Sequence, residues 1–449
     1  MKSTNRAAGR QVPDQAGSGH PASTIRFWRE LVARALRSHS TPLYLFSIEP
    51  VRAALAELNT AVDWAGNVSS LRPRSQKFRQ DAGTTLGAET PLPRLRHWLS
   101  CKTQPMAPLL RWWCRQGLGI EVVSEYELLA ALQEGFAPGQ ILVNGPAKHH
   151  WLPRHSMRGL RVNFDSLAEL DPLLPLARKL DWRLGVRIHT REEFDPEHPE
   201  FPTQFGLQQE EAITAIQRLQ RAGAALETVH FHLRTNVASP AIYERAAEEV
   251  AAICRAANFT PKHLDVGGGL PPPHVQSCDG RRYDAGFTLA ELARVHQRVI
   301  QQFPALQELW LENGRFVSAR SGVLVVRVRD IKERGGLRQL ICDGGRTTHA
   351  LISQWEAHEI LTVPDRRGPV RLTAICGATC MAFDQLARRR LPGSIQAGDV
   401  LVWMDAGAYH IPWETRFSHG WAKVLWHENG RLRVAREAES FESWWGQWK

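Results

Sequence analysis

Between residues 98 and 311 the chain alternates short apolar runs with stretches of helical periodicity, and this alternation restricts its fold more than any other feature. The runs are 98–102, 120–123, 141–143, 160–164, 184–188, 228–233, 263–266 and 308–311. Between them, segments such as 125–133, 210–221 and 242–257 repeat apolar residues at helical spacing. A near-continuous apolar run of four to six residues suits a strand covered on both faces, as in a parallel sheet. Eight such strands, each followed by a helix, close on themselves, so the prediction is an α/β chain with a (β/α)8 barrel.

After residue 314 the texture changes. The runs 323–328, 338–342, 370–375, 400–404 and 423–426 are rich in β-branched residues and separated by turns, with little helical periodicity. They predict a second, mainly antiparallel β domain, to which the early segment Thr41-Pro-Leu-Tyr-Leu-Phe adds a strand. The expected layout is a disordered tail over 1–24, a strand and first helix over 25–55, the barrel over 56–314 with a long insertion near 66–95, and the β domain over 315–449. The tail is rich in Ser, Gly, Pro, Gln and Ala and lacks an apolar core, so it does not read as a signal peptide. At 449 residues the chain exceeds what one core organises, which agrees with two domains.

Composition narrows the classes of function. With 43% hydrophobic and 23% charged residues the chain reads as globular, and it has no apolar run of membrane-spanning length. The net charge of +10 is spread along the sequence without an aromatic-basic module, so it favours anionic small ligands over nucleic acid. Seven cysteines, an odd number without CxxC pairs, point away from a disulfide framework and towards a reducing cytoplasm.

The residues that could carry chemistry fall at the ends of the predicted strands, where barrel folds place their active sites. Lys102 closes the first strand. Gly267, Gly268 and Gly269 follow Val266, and glycines let backbone N–H groups approach an anion closely. Glu312 follows the eighth strand. His230 and His232 alternate on one strand and so share a face, which leaves a metal pair as a rival reading, without an evident third ligand.

The order Lys102, Pro105, Gly117-Leu-Gly, Val123-Ser, Glu127-Leu, Gly135-Phe and Asn144-Gly-Pro-Ala-Lys, continued by the glycine triplet and Trp310-Leu-Glu-Asn-Gly-Arg-Phe, resembles the pyridoxal-phosphate-dependent decarboxylases related to diaminopimelate and ornithine decarboxylase. The resemblance runs over roughly residues 40 to 425. It implies an alanine racemase-like fold, pyridoxal 5'-phosphate as cofactor, and a homodimer with active sites at the interface. Lys102 would then hold the cofactor as a Schiff base, and Glu312 would face the pyridine nitrogen, with Gly314 and Arg315 completing the motif and Asn313 standing where proline is usual. His232 would stack on the ring, Thr235 would offer its hydroxyl to the phosphate, and Tyr409 would reach the cofactor. Arg234, where relatives have glycine, could meet an acidic substrate group or the phosphate.

Cys380 matches the cysteine that returns a proton to the α-carbon across the dimer interface. Met381, Asp384 and His349, with His358 beside it, fall in tracts that face substrate. Relatives carry an acid at the Met381 position, which reads a distal ammonium. Its loss points away from ornithine, lysine and diaminopimelate and towards another amino acid, free or carrier-linked, in specialised metabolism. Racemisation or other α-carbon chemistry on the same cofactor, and a catalytically silent regulatory homologue, are the alternatives.

Overall fold

The computed structural model describes residues 19–61, 93–194 and 203–449, which form two compact units. The insertion expected near 66–95 lies outside the described residues except for its last three, of which Arg94 and Leu95 already belong to the first barrel strand.

The barrel unit comprises Leu55–Leu270 and Phe287–Asn313. Its strands are Arg94–Ser100, Gly119–Val122, Ile141–Val143, Arg161–Phe164, Arg183–Arg187, Leu226–His230, His263–Asp265 and Glu308–Asn313, closed into one barrel. Every neighbouring pair is parallel, including the closing pair, where Glu312 sits opposite Trp98 and Asn313 opposite Leu99. Side chains fill the interior: Trp98, Leu142 and Trp310 form a cluster, with the two indoles 4.9 Å apart. Gly119 makes room for this packing, because a Cβ there would lie 2.2 Å from the Trp98 ring. The helices begin as the sequence expects: Ser124 caps Glu125–Gln133 by accepting from the Glu127 N–H, and Glu127 reaches back to the Val123 N–H.

Two details differ from the sequence reading. The first strand stops at Ser100, and Lys102 lies in the tight turn Cys101–Thr103 that follows. The sixth strand stops at His230, so His232 belongs to the loop beyond it. In both cases apolar residues past the last ladder bond extend the run read from sequence, because the loop itself packs inward; Cys101 and Phe231 are fully buried.

The second unit comprises the chain up to Ala54, Pro271–Gly286 and Gly314–Lys449. It holds a nine-stranded, mainly antiparallel sheet. The strand Leu43–Ser47 lies in its middle, antiparallel to Gly322–Arg334 and parallel to Lys423–Glu428. All five of its residues are buried, because Leu43 and Leu45 pack under the helix Ala22–Ala35 while the other face is covered as well. That helix presents Trp28, Leu31, Val32 and Ala35 at helical spacing to Val323, Val325, Val402 and Leu425. Burying each of its larger apolar side chains contributes about 1.5–3 kcal/mol. The helix starts at Ala22, inside the stretch expected to be a tail, and just before it buried His20 bridges Glu359 at 2.6 Å and Asp405 at 2.8 Å. Strands Ile360–Val363, Gln385–Pro392 and Arg431–Arg436 were not evident in the sequence; the latter two are edge strands whose alternate arginines face outward. Among the described residues no helix is long and apolar enough to cross a membrane.

Candidate active site

The C-terminal ends of the barrel strands gather a polar cluster centred on Glu312, which is 5% exposed. The Asn144 amide donates to its Oε1 at 2.5 Å, His232 Nδ1 lies 3.3 Å from Oε2, and His230 Nε2 lies 3.5 Å from Oε1. Asn144 is itself fixed, since its Oδ1 accepts from Asn163 Nδ2 at 2.9 Å. Burial opposes the charge on Glu312, but the hydrogen bond with His232 and the charge of Lys102 outweigh it and hold the carboxyl well below its ordinary range. Burial brings the His230 imidazole down to about 3, so it is neutral at pH 7. Burial and the neighbouring Glu312 carboxylate push the Asp265 carboxyl well up. Two adjacent acids whose affinities for a proton are driven apart are a signature of sites that hold and move protons.

Lys102 stands at the end of the strand next to Glu312. Its Nζ pairs with both oxygens of Glu121, at 3.0 and 3.2 Å, and Ser100 Oγ donates to the same carboxylate. Glu121 is buried, whereas the Lys102 side chain is 37% exposed, so the amine is reachable from outside while its counter-ion is fixed.

The glycine triplet lies against the same cluster. Backbone φ is +68° at Gly267 and +87° at Gly269, and a Cβ on Gly268 would lie 2.6 Å from the Glu312 carbonyl. Only glycine fits a loop held this close. Gly267 N–H donates to Asp265 Oδ1 and Gly268 N–H to His232 Nδ1, so two of the three donors expected for a phosphate point into the barrel instead. Thr235 is exposed in the loop after the sixth strand. The Arg234 guanidinium donates to the Glu192 carbonyl at 3.1 Å.

In the β unit, Gly314 opens the short helix Arg315–Ser318. Arg315 Nε donates to Glu356 Oε1 at 2.9 Å and its guanidinium lies 4.4 Å above the Tyr409 ring. Glu356 also pairs with His358 Nε2 at 3.2 Å; burial works against its charge, yet Arg315 and His358 bring the carboxyl down to about 2. Cys380 is exposed and Met381 half-buried in the loop between Val370–Cys376 and Gln385–Pro392. Two expected substrate residues are not available on this surface. Asp384 is buried and accepts from the Thr347 and Thr379 N–H groups and from Thr379 Oγ1, so it shapes the loop that carries Cys380. His349 is buried against Thr348 Oγ1 at 2.6 Å, and burial lowers its imidazole to about 3. His358 is likewise enclosed, bonded to the Met404 carbonyl.

Four residues of the barrel cluster escaped the sequence reading as site residues: Glu121, Asn144, Asn163 and Asp265. Each is a polar residue at or near the end of an apolar strand, and that position was the available signal. The same geometry supplies Glu312 as the third member of the metal-type set that the two histidines lacked in sequence.

These residues fit pyridoxal phosphate. A reachable amine at the barrel rim, a glycine loop that any Cβ would obstruct, and a buried ionised carboxylate answer to an aldehyde, a phosphate and a basic ring nitrogen. Comparison with known proteins agrees. The pyridoxal binding domain of the pyridoxal-dependent decarboxylases matches residues 85–319. The diaminopimelate decarboxylase of Actinosynnema pretiosum subsp. auranticum is 29% identical over 392 residues, covering 82% of this chain and 85% of that protein. That of Aquifex aeolicus is 26% identical over 348 residues, covering 73% and 79%. Solved structures share the fold: diaminopimelate decarboxylase of M. jannaschii with L-lysine has a TM-score of 0.76 at 20% identity, over 94% of both chains. Lysine/ornithine decarboxylase of Vibrio vulnificus with cadaverine gives 0.71 at 18% identity, over 91% of this chain and 100% of that one. With more than half its length inside the family's cofactor-binding domain, the chain belongs to the pyridoxal-dependent decarboxylases and is a pyridoxal-phosphate-dependent carboxy-lyase of amino acids.

Proposed function

We propose that the chain removes the α-carboxyl of an amino acid, free or carrier-linked, whose side chain does not end in an ammonium, as part of specialised metabolism. The observation that carries the chemistry is Glu312: a buried carboxylate kept ionised, one strand away from Lys102. When bound, pyridoxal phosphate supplies the electron sink for the pair left at the α-carbon as carbon dioxide departs. The protein's own residues do the rest. Lys102 supplies the amine that holds the aldehyde, and Glu121 keeps that amine at the rim. Asn144, braced by Asn163, fixes the carboxylate of Glu312 so that a positive ring nitrogen finds it already oriented. Glycines 267 to 269 keep the rim open, and His232 stands between that loop and Glu312.

Arg315, Tyr409 and Cys380 are attached to this proposal by their motif positions, Tyr409 and Arg315 for cofactor and Cys380 for the proton that replaces carbon dioxide. A homodimer belongs to the same proposal, to be checked by light scattering on the eluting protein. The substrate half rests on Met381, a neutral thioether where an acid would pair with a distal ammonium. A second reading keeps diaminopimelate itself, favoured by the names of the relatives.

The test is carbon dioxide release and loss of optical activity measured side by side over a panel of apolar, aromatic and acidic amino acids with lysine, ornithine and diaminopimelate. Carbon dioxide from the first group alone supports the proposal. Release from diaminopimelate or lysine above all others replaces it with the second reading, and loss of optical activity without gas replaces it with racemisation.

A further inference from the structure

The cluster around Glu312 has the composition and spacing of a transition-metal site. One ring nitrogen each of His230 and His232 and one carboxylate oxygen of Glu312 lie within 4.8 Å of one another. The two histidine-to-glutamate distances are 3.5 and 3.3 Å. Ligands bound tetrahedrally at about 2.0–2.1 Å from a zinc ion stand roughly 3.3–3.4 Å apart, close to each of these contacts, which reach the two different carboxylate oxygens, Oε1 from His230 and Oε2 from His232. Two imidazoles and one carboxylate are a donor set suited to zinc, cobalt or ferrous ions, and poorly suited to magnesium or calcium.

Two further observations point to a ligand. His230 is 1% exposed, and neither of its ring nitrogens has a hydrogen-bond partner. Buried polar atoms are nearly always partnered, so an imidazole enclosed without one marks a place where something else binds. His232 Nδ1 meets the Gly268 N–H at 3.2 Å on one side and the Glu312 carboxylate at 3.3 Å on the other. With Nδ1 bare its lone pair confronts the carboxylate, and with Nδ1 protonated its hydrogen confronts the Gly268 N–H. A cation between the nitrogen and the carboxylate removes the lone-pair repulsion, at the cost of the hydrogen bond that the Gly268 N–H donates to the same nitrogen. The Asn144 amide on Glu312 Oε1 then acts as the outer partner that orients a ligating carboxylate.

We propose that in the absence of pyridoxal phosphate His230, His232 and Glu312 bind one divalent transition-metal ion, and that ion and cofactor exclude each other because both require the Glu312 carboxylate. The exclusion rests on the role proposed above for Glu312; the binding rests on the geometry alone. The consequence is an enzyme whose cofactor loading is opposed by free zinc-class ions.

Cobalt(II) is a probe for this, because its visible absorption reports ligand geometry. The full-length chain prepared without pyridoxal phosphate is expected to take up one Co2+ per chain with a visible absorption band. His230→Gln and Glu312→Gln should each weaken binding by about tenfold or more, and Mg2+ should not displace the cobalt. Adding pyridoxal phosphate to the wild-type complex should release the ion and abolish the band, a reading that needs no variant to fold. Absence of saturable Co2+ uptake, equal uptake by both variants, or cobalt that stays bound at saturating pyridoxal phosphate overturns the proposal. Carbon dioxide release by the cofactor-loaded protein is recorded separately, so a failure of metal binding is distinguished from a failure of the decarboxylase reading.

Discussion

Each unit of the chain buries a glutamate whose carboxyl is held below its ordinary range, and the two are satisfied in different ways. Glu356 in the β unit meets a permanent cation, Arg315, at 2.9 Å and a histidine at 3.2 Å. Glu312 in the barrel meets an amide and two imidazoles, one of them neutral. A carboxylate closed by a guanidinium is complete within the fold. One surrounded by neutral dipoles and imidazoles still has most of its charge to share. The contrast separates a group that maintains structure from a group that waits for a positive ligand, and burial alone does not reveal which is which.

The largest expected effect comes from Lys102→Ala. It should abolish the visible absorption of bound cofactor and lower carbon dioxide release by roughly a thousandfold or more, with an unchanged melting temperature. Survival of the band in this variant would place the attachment elsewhere.

Glu312→Gln and Glu356→Gln sharpen the comparison directly. Attraction between Glu312 and a positive ring nitrogen at ~4 Å is worth at most about 4 kcal/mol at an effective dielectric near 20, so Glu312→Gln should lower kcat by up to about a thousandfold. Stability should change by less than about 1 kcal/mol, since Gln still accepts from Asn144. Glu356→Gln should act chiefly on stability: it leaves Arg315 enclosed without its counter-charge and should cost about 3 kcal/mol, read by denaturant unfolding, with any loss of activity following from the displaced Arg315. Equal losses of activity and stability in both variants would erase the distinction.

Acid titration gives a further check. The Glu356 carboxyl, brought down to about 2 from an ordinary 4.5, contributes stability that is present above pH 4.5 and is lost as the pH falls towards 2. The wild-type protein should therefore lose stability faster over that window than Glu356→Gln. At the other end, His20 is raised to about 10 despite its burial, through Asp405 and Glu359. Its contribution is complete below pH 6.5 and disappears as the pH rises through 10, so His20→Gln should flatten the alkaline limb of the unfolding curve. The smallest effect belongs to Asn144→Ala, which removes one oriented donor from Glu312 and should lower kcat by about tenfold with little change in KM.

The barrel was legible in the sequence because parallel strands are buried on both faces and so read as unbroken apolar runs; all eight appear in order. Strand ends were less legible. Cys101 and Phe231 are as buried as strand residues although they lie past the last ladder bond, and they carried the reading of Lys102 and His232 onto the strands. The strand Gln385–Pro392 was hidden by Arg388, Arg389 and Arg390, which a sheet edge tolerates and a sheet centre does not. In the site, motif order identified Lys102, Glu312 and the glycines, but their partners were out of reach. Asn144 and Glu121 meet them across strands that lie far apart in sequence or that pair in a register the sequence does not display. Asp384 and His349 show the converse: polar residues read as facing substrate are consumed by backbone N–H groups and a hydroxyl inside the β unit.

The strand Leu43–Ser47 has a consequence for how the chain is made. Its neighbours are Gly322–Arg334 and Lys423–Glu428, so the segment leaves the ribosome long before either partner. Barrel strands from Arg94 to Asn313 are complete long before the second of these emerges. Vectorial synthesis thus leaves an apolar, five-residue β segment without either ladder until residues 322–334 emerge, and a truncation before residue 423 leaves one of its edges unpaired. Nascent chains arrested short of that point are where misassembly of this protein should begin.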